Sequence, residues 1–446
     1  MKKTMLMLTT AAIFFAACSK KDGTNLSSNQ PQAPVISNTT FQPLFMTLPT
    51  IPAGTYNITS YGASTSSSDN ATAVQAAINA ASLAGGGTVV VPSGSYNCGP
   101  ISLKSNIDLQ LSAGSVLKVI PYGSYPGSGG TARLINFIDL NGLTNVLISG
   151  SGQIDGQGSA WWSAFLATKG TASAIARPTM IGIDNSSTIK ITGISIVNAP
   201  NVHIVVHTND NSVTIDGVTL NSPSTAPNTD GIDTWSTNIN ITNCNISCGD
   251  DNIAMDSNSS YVTVTNCTFG TGHGLSIGSY TANVDHITVD NCTFNGTTNG
   301  IHIKSSRTRS GIVQYLTYSN ITMTNVGYPV DLIEYYPDST IPSSPTADPA
   351  QAITSTTPVW KHITFKNITA TGATKAGYLW SVPEKPMADL TFDNVHISAT
   401  TGMTANYVNG AAFINGSRIT VVSGNAFINP YSATITGINL TTGAPL

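Results

Sequence analysis

The sequence predicts an all-β protein: a single-stranded, right-handed parallel β-helix with a short N-terminal capping helix. Only 9% of the 446 residues are charged and 40 are glycine, which suits many short strands joined by polar turns better than surface helices. One strand-like motif recurs along most of the chain. Its copies are spaced mostly by about two dozen residues, which leaves no room for a crossover helix and is too short for a propeller blade of about forty residues.

The repeated motif reads apolar-x-apolar-x-(Gly or Asn)-apolar-x-apolar, and its period of two is typical of strands. Stacked coils bring equivalent residues to about 4.8 Å from one another. We therefore expect Cys244, Cys267 and Cys292 to form a buried column of reduced thiols, and the central asparagines to form a side-chain ladder in one bend. The motif copies begin at Ile189, Val213, Ile239, Val262, Ile287, Leu316, Ile363 and Leu390. The asparagines of this ladder are Asn243, Asn266, Asn291, Asn320, Asn367 and Asn394.

A solenoid must cover its exposed core at the ends. Residues Asp69 to Ala84 have the pattern of an amphipathic capping helix, with Asp69 as its N-cap and the glycines 85–87 as its stop. A strand is expected to follow at Thr88 to Val91.

The N-terminus has the features of an export signal. Residues 1–18 combine Lys2 and Lys3 with an apolar run that ends at Cys18, and they resemble a bacterial lipoprotein signal peptide in which that cysteine is lipidated. A plain cleaved signal is the alternative. Residues 19–43 are polar and read as a flexible linker, and 44–446 as the β-helix. We expect an exported protein, either lipid-anchored at the bacterial cell envelope or secreted.

The net charge of −4 argues against nucleic acid and anionic membrane surfaces as general partners, and leaves a lipid anchor as the expected contact with a membrane. A local basic cluster could still meet an acidic ligand. The sequence shows no His/Cys ligand set of the kind that holds a metal, so we expect neither a metal nor a cofactor. We also expect a monomer.

A second alignment joins four consecutive coils. Its first position stacks Asp230, Asp251 and His273, with Asp250 directly beside Asp251. Charged groups facing the core could not be satisfied, so we expect this position to lie in a bend that faces a cleft. Turn-capping by these aspartates is the alternative. Strand alternation predicts that the fourth and sixth positions point to solvent. Those positions include Asp233, Trp235, Asp256, His302 and Lys304.

Clustered carboxylates suit the cleavage of a glycosidic bond. Neighbouring carboxylates cannot all ionise freely, so one can hold a proton and act as an acid while another activates a water or attacks directly. Lys304, Arg307 and Arg309 are cations that could hold the carboxylate of an acidic sugar. The predicted partner is therefore an acidic polysaccharide.

These residues carry a family resemblance. Over roughly residues 56–336 the chain resembles the polygalacturonases, the pectin hydrolases of glycoside hydrolase family 28. The segments 228–230, 249–251, 272–274 and 303–304 match its four signature segments in order, and Tyr336 stands where its site tyrosine is expected. The resemblance implies cleavage of the α-1,4-galacturonosyl linkages of polygalacturonate or pectin with inversion of the anomeric centre.

The resemblance also implies roles for individual residues. Asp250 would be the general acid, Asp230 and Asp251 would activate the water, and His273 would tune or orient the acid. Substrate contacts are expected from Asn228, His302, Lys304, Arg307 and Tyr336. Three further segments resemble early coils of the family and are expected to be structural. They are residues 154–158, 161–162 and 177–178.

The chain departs from the family pattern at two positions. His302 stands where the family usually has arginine, so Arg307 or Arg309 would supply that charge, or the sugar would be less acidic. Asn252 stands where many relatives have a cysteine. Two other functions remain open from the sequence: a Ca²⁺-dependent β-helix pectate lyase, and a non-catalytic glycan-binding surface solenoid.

Overall fold

The strands of the protein stack into one continuous parallel helix. The computed structural model describes residues Met46–Leu446, in which 31 strands form one sheet whose strand pairs are all parallel. The coil is right-handed, so the predicted fold class is confirmed. The predicted signal peptide and linker, and the start of the predicted β-helix at residue 44, lie outside the described residues. No helix between Met46 and Leu446 has the length and apolar character needed to cross a bilayer.

The first coils contain both α-helices of the described chain. Helix α1 spans Ala71–Leu83 and α2 spans Ser159–Thr168, and a 3-10 turn covers Ile58–Tyr61. The strands here are β1 Thr55–Asn57, β2 Gly87–Val91, β3 Gly94–Cys98, β4 Ile101–Ser102, β5 Ile107–Leu111, β6 Ser115–Val119, β7 Ile138–Asn141, β8 Thr144–Gly150 and β9 Gln153–Asp155.

The middle coils are regular, with three strands each. They comprise β10 Ile181–Asp184, β11 Ser187–Thr192, β12 Ser195–Val197, β13 Ile204–Val206, β14 Asn211–Asp216, β15 Thr219–Asn221, β16 Ile232–Thr234, β17 Thr237–Thr242, β18 Asn245–Ser247, β19 Ile253–Met255, β20 Ser260–Thr265, β21 Thr268–Phe269, β22 Leu275–Ile277, β23 Val284–Asp290, β24 Thr293–Asn295 and β25 Asn299–Lys304.

The last coils have longer strands that bend through the corners. They are β26 Ile312–Thr324, β27 Tyr328–Ile333, β28 Val359–Trp380, β29 Met387–Ile414, β30 Arg418–Val421 and β31 Phe427–Thr436. Short 3-10 turns at Asp338–Thr340 and Pro345–Ala347 interrupt the segment between β27 and β28.

Equivalent strands form three columns. The first column contains β8, β11, β14, β17, β20 and β23, and the second contains β9, β12, β15, β18, β21 and β24. The third column contains β7, β10, β13, β16, β19, β22, β25 and β27. The turns that join the second column to the third are called the cleft turns below, because the predicted catalytic residues lie on them.

The repeats align as predicted. Ile189, Val213 and Ile239 are paired across neighbouring coils, and the register continues without slippage to Leu390. The inward side chains are almost completely buried. Side-chain alternation has a period of two, so a slip by one residue would turn this whole apolar set outward, and burial therefore fixes the register.

The two side-chain columns predicted beside the repeats are present, one with a correction. Cys244, Cys267 and Cys292 are buried and unpaired. The asparagine ladder is interrupted: the side-chain amide of Asn320 donates to Asp290 at 2.7 Å rather than to Asn291. The carboxylate of Asp290 is a stronger acceptor than an amide oxygen and takes its place.

The predicted capping helix is present, but its N-cap is Asn70 and not Asp69. Asp69 nevertheless accepts the amide protons of Ala71 and Gly99, both at 2.8 Å, and so ties the start of α1 to the neighbouring coil. The inner face of α1, which includes Val74 and Ile78, is buried against the first strands. The helix stops before Gly85, whose φ of +94° is left-handed, as predicted.

Helix α2 was not predicted from the sequence. It lies in the cleft turn that follows β9. The buried ring of Trp161 anchors this helix through edge-to-face contacts with Tyr122 and Tyr125, at centroid distances of 4.9 and 5.7 Å. The predicted structural role of Trp161 is consistent with this packing.

Candidate active site

The cleft turns bring together the residues predicted to be catalytic. Asp230 precedes β16, Asp250 and Asp251 precede β19, and His273 precedes β22. Backbone hydrogen bonds join these turns: the His273 amide donates to the Asp250 carbonyl at 2.8 Å, and the Gly231 amide to the Asp251 carbonyl at 3.0 Å. The predicted placement of these groups in bends rather than in strands is thus what the structure shows.

Asp250 is held from three sides. One carboxylate oxygen lies 3.0 Å from His273 Nδ1 and accepts the Asp251 amide proton at 3.1 Å, while the other accepts from the Asn228 side chain at 3.2 Å. Burial favours the protonated acid, but the hydrogen bond and charge of His273 outweigh it and hold the pKa of Asp250 below its ordinary value. The same contact raises the pKa of His273.

Asp251 belongs to a separate ion pair. Its carboxylate lies 2.7 Å from Lys304 Nζ and accepts the Ser276 hydroxyl proton at 2.7 Å. Both ends of the ion pair are nearly inaccessible to water, with 5% of the Asp251 side chain and 7% of the Lys304 side chain exposed. Burial lowers the pKa of Lys304, but the carboxylate of Asp251 outweighs it and raises the pKa overall, so Lys304 is charged.

The pKa of Asp230 is shifted in the direction that favours the protonated acid. Burial raises its pKa well above the ordinary value, and the negative charges of Asp250 and Asp251 add to this effect. The carbonyl of Asp230 is fixed by His203, whose amide and Nδ1 lie 2.9 and 2.8 Å from it. The raised pKa thus belongs to Asp230 and not to Asp250, the residue that the resemblance implies as the acid.

The prediction that the outward positions of the third column point to solvent is wrong for four residues. Asp233, Asp256, His302 and Lys304 point away from the core, yet each is only 6–7% exposed. Side chains on adjacent coils lie too close together for solvent to enter between them. Trp235 is half-buried.

His302 does not replace the missing arginine charge. Burial, followed by the charges of Lys304 and His273, lowers its pKa well below the ordinary value, so the ring is neutral. Its Nδ1 lies 2.9 Å from the Asn299 side-chain amide and its Nε2 lies 3.5 Å from Asp331.

Arg307 is already paired within the protein. Its guanidinium contacts Glu384 at 2.5 and 3.0 Å and Asp348 at 2.6 Å. The neighbouring Arg309 also lines the cavity of about 540 Å³ at this end of the third column, and it has no carboxylate partner among residues 46–446. Tyr336 lies on the same wall, with its ring centre 5.4 Å from Lys304 Nζ.

Three residues that sequence reasoning did not assign to the site support it. Asn252 is fully buried and joins two cleft turns, accepting the Gly274 amide proton and donating to the carbonyls of Ile246 and Thr271. Ser276 occupied an outward position in the alignment and could have been found there. Arg177 donates to Asn228 Oδ1 at 3.0 Å, a contact that no sequence signal indicated.

Asp250, Asp251 and His273 are also a possible metal-ligand set, because one ligand atom from each lies within 4.8 Å of the others. Lys304 argues against a divalent cation here, since its ammonium already neutralises Asp251. His273 would also have to give up its interaction with Asp250.

Comparisons with known proteins agree with this arrangement. The sequence model of glycosyl hydrolases family 28 matches residues 84–415. An endo-polygalacturonase of Pectobacterium carotovorum subsp. carotovorum is 34% identical over 295 residues, which cover 61% of this chain and 70% of that protein. An exopolygalacturonase of Zea mays is 32% identical over 362 residues, 78% of this chain and 84% of that protein.

The solved structure of a polygalacturonase from Erwinia carotovora ssp. carotovora superposes with a TM-score of 0.69 and 30% identity, covering 82% of this chain and 98% of that one. The family match continues to residue 415, whereas the resemblance described above ends at about residue 336. The chain belongs to glycosyl hydrolases family 28 and is an enzyme that hydrolyses glycosidic bonds.

Proposed function

We propose that the enzyme hydrolyses α-1,4-galacturonosyl linkages of polygalacturonate or pectin with inversion. The observation that carries the proposal is the pairing of Asp250 with His273 directly beside the pairing of Asp251 with Lys304. This arrangement provides a proton source, a carboxylate base and a fixed cation within one set of turns, which are the groups that hydrolysis of an acidic glycoside needs.

Asp250 acts as the general acid, and His273 is the source of its proton. In the free protein the imidazolium lies 3.0 Å from the Asp250 carboxylate, and Asp230 holds a further proton. Substrate binding excludes water, so the charge-separated pair of Asp250 and His273 becomes less favourable than neutral acid and neutral imidazole. The proton therefore moves to Asp250 and from there to the leaving oxygen.

Asp251 and Asp230 activate the water. Lys304 and Ser276 each contact one oxygen of Asp251, and together they orient its carboxylate. Inversion requires a water between this base and the sugar, and inverting enzymes commonly hold the acid and base carboxyls about 6.5–9.5 Å apart. Asp250 and Asp251 do not have that spacing in the free protein, because one carboxylate oxygen of each lies within 4.8 Å of the other. Above its raised pKa, Asp230 has released its proton to solvent and serves as a second base.

The sugar carboxylates contact cations at the edge of the third column that lies opposite the cleft turns. Lys304, with Tyr336 beside it, serves the units nearest the scissile bond, and Asn228 contacts the sugar from the side of Asp250. Arg309 is favoured over Arg307 as the further cation, because two carboxylates already neutralise Arg307. The neutral ring of His302 contributes to the shape of the site but not to its positive charge.

Time-resolved proton NMR on an oligogalacturonate tests the proposal. The expected result is release of reducing ends with the β-anomer formed first from the α-linked substrate. An initial α-anomer would instead make one carboxylate a nucleophile and would remove the roles given to Asp230 and Asp251. An ultraviolet-absorbing unsaturated product would support the lyase, and no product would support the glycan-binding alternative; membership of a hydrolase family favours hydrolysis over both.

The enzyme is further proposed to be exported, lipid-anchored through Cys18, and monomeric. The support is the apolar run before Cys18 followed by a polar segment. Labelling with a radioactive fatty acid in a bacterial host should mark the wild-type protein and not Cys18→Ser. Size-exclusion chromatography with light scattering of the domain 44–446 should give the mass of one chain, and a larger mass would contradict the monomer.

A further inference from the structure

A second cavity, of about 520 Å³, lies on a cleft turn well before the catalytic ones. It opens between the turn after β9 and the start of α2. Asp155, at the head of that turn, is in register with Val197, Asn221 and Ser247 on successive coils. Ser247 is three residues before Asp250. At about 4.8 Å per coil, the cavity therefore lies roughly 14 Å from the catalytic turns along the same edge of the helix.

The lining of this cavity has the chemistry of a sugar site. Trp162 and Tyr122, both half-buried, supply aromatic surface, while Asp155, Gln157 and Asn198 supply planar hydrogen-bonding groups. A concave site with apolar rings and a few fixed polar groups is what a small polar ligand with an apolar face requires. One oxygen of Asp155 accepts a proton from the Gln157 backbone amide at 3.1 Å and one from the Asn198 side-chain amide at 3.2 Å, and these two contacts fix the turn.

The charge of this cavity differs from that of the cation-bearing edge near Lys304. Asp155 is the one acidic side chain that lines it, and no lysine, arginine or histidine of the described chain does so. A carboxylate repels a galacturonate and can accept the hydroxyl protons of an uncharged sugar. The first turn of α2 favours an anion by its dipole, but Asp155 already supplies a negative charge beside it.

Arg177 connects the cavity with the catalytic turns. Its guanidinium packs 3.7 Å over the ring of Phe165 on α2, donates to the carbonyls of Pro200 and Pro227 on the two intervening coils, and donates to Asn228, which contacts Asp250. Arg177 therefore fixes the surface between the cavity and the catalytic turns, because it contacts α2 at one end and Asn228 at the other.

We infer that this cavity is a second sugar-binding subsite, which takes an uncharged unit, a methyl-esterified galacturonate or a neutral sugar, of the polysaccharide whose bond is cleaved roughly 14 Å away. The inference rests on the proposed function. It implies that the enzyme prefers chains in which free acids near the scissile bond are followed by an uncharged unit on the side of the early coils.

Calorimetric titration of the inactive Asp250→Asn enzyme tests the subsite. The probes are the dimer and hexamer of galacturonate, each as the free acid and as the methyl ester. A dimer across the scissile bond is too short to reach the cavity, so the hexamer-to-dimer affinity ratio within each series reports the subsite. We expect the larger ratio for the esters, and Trp162→Ala, made in the Asp250→Asn background, should reduce it about fivefold to tenfold.

Two further variants sharpen the test. Asp155→Asn keeps the turn's acceptor but removes the charge, and should raise the free-acid ratio about threefold. If circular dichroism shows that the Trp162→Ala variant is not folded, the Tyr122→Ala variant is tested in its place. The control Tyr261→Ala, which removes an exposed ring of β20, should change neither ratio.

Equal ratios in the two series, or a Trp162→Ala loss that affects dimer and hexamer alike, would overturn the inference. Cleavage of polygalacturonate by the wild-type enzyme is measured separately. Failure there would count against the proposed function, whereas the affinity ratios would still report on the subsite.

Discussion

At the scale of single residues, the site depends on side chains whose orientation is fixed by a second contact. Asn228 is an example: Arg177 donates to its oxygen, so its nitrogen must face Asp250. Asn252 donates both protons of its side-chain amide and accepts one more with its oxygen, and it thereby joins the turns of Asp250 and His273. Such supporting contacts keep the acid and the base in place before substrate arrives.

Replacing the acid should abolish turnover. Asp250→Asn keeps the shape of the side chain but cannot donate the proton, so we expect kcat to fall by about 10²–10⁴ with an unchanged circular dichroism spectrum. Initial rates on polygalacturonate give the comparison. If more than half of the wild-type rate remained, Asp250 would not be the acid.

The pair of Asp250 and His273 should set the alkaline limb of the pH profile. The pKa of His273 is raised, so its proton is present below that pKa and is lost as the pH rises through it. The raised pKa of Asp230 places the acid limb above the ordinary range of an aspartate, because the base is lost as the pH falls through it.

The variant His273→Gln checks this assignment. The proton on Asp250 is then lost at the pKa of a carboxyl, so the alkaline limb of kcat should move to lower pH and kcat should fall about a hundredfold. The matched control is His286→Gln, which replaces a partly exposed histidine of β23. An alkaline limb that stays in place in His273→Gln would assign that limb to another group.

At the scale of single elements, stacking and capping replace the long-range packing of ordinary domains. The rings of Phe365, Phe392 and Phe413 stack on successive coils at 4.7 and 4.3 Å. Such ladders bury apolar surface between neighbours and hold the strand register. Helix α1 covers the first coil and depends on Asp69 for its connection to the strands.

Removing that connection should loosen the cap. Asp69→Ala leaves the amides of Ala71 and Gly99 without their acceptor, so we expect the free energy of unfolding to fall by about 1–2 kcal/mol. Asp69→Asn retains an acceptor oxygen and should lose less. Urea unfolding followed by tryptophan fluorescence measures both variants, and equal losses would show that charge rather than hydrogen bonding is responsible.

At the scale of the whole molecule, the solenoid brings together residues that are distant in sequence, such as Asp251 and Lys304, 53 positions apart. The charge also differs along the solenoid: cations lie near Lys304, and the carboxylate of Asp155 lies near Trp162. A polysaccharide lying along the helix would meet both regions. Neither region is formed within a single coil.

Hydrolysis should not need a metal ion. Lys304 supplies the positive charge that a divalent ion would bring to Asp251, so dialysis against EDTA should leave the rate on polygalacturonate unchanged. A loss that Ca²⁺ restores would contradict this prediction and would point to an ion bound by Asp250, Asp251 and His273.

The sequence alone determined the coil repeat, its register and the turn on which the carboxylates lie. These properties are local and periodic: apolar alternation defines the strands, and stacking at a constant rise aligns identical positions. The buried column of Cys244, Cys267 and Cys292 was predictable for the same reason, as was the capping helix that ends at the glycines 85–87.

The tertiary structure decided which group holds a proton and which cation is free. The raised pKa of Asp230, the neutrality of His302 and the pairing of Arg307 with Asp348 and Glu384 depend on burial and on contacts between segments far apart in sequence. Desolvation and distance set electrostatic energies, and neither can be read from a one-dimensional pattern. Side-chain alternation gave the direction of these residues, but only their packed neighbours determined how much water reaches them.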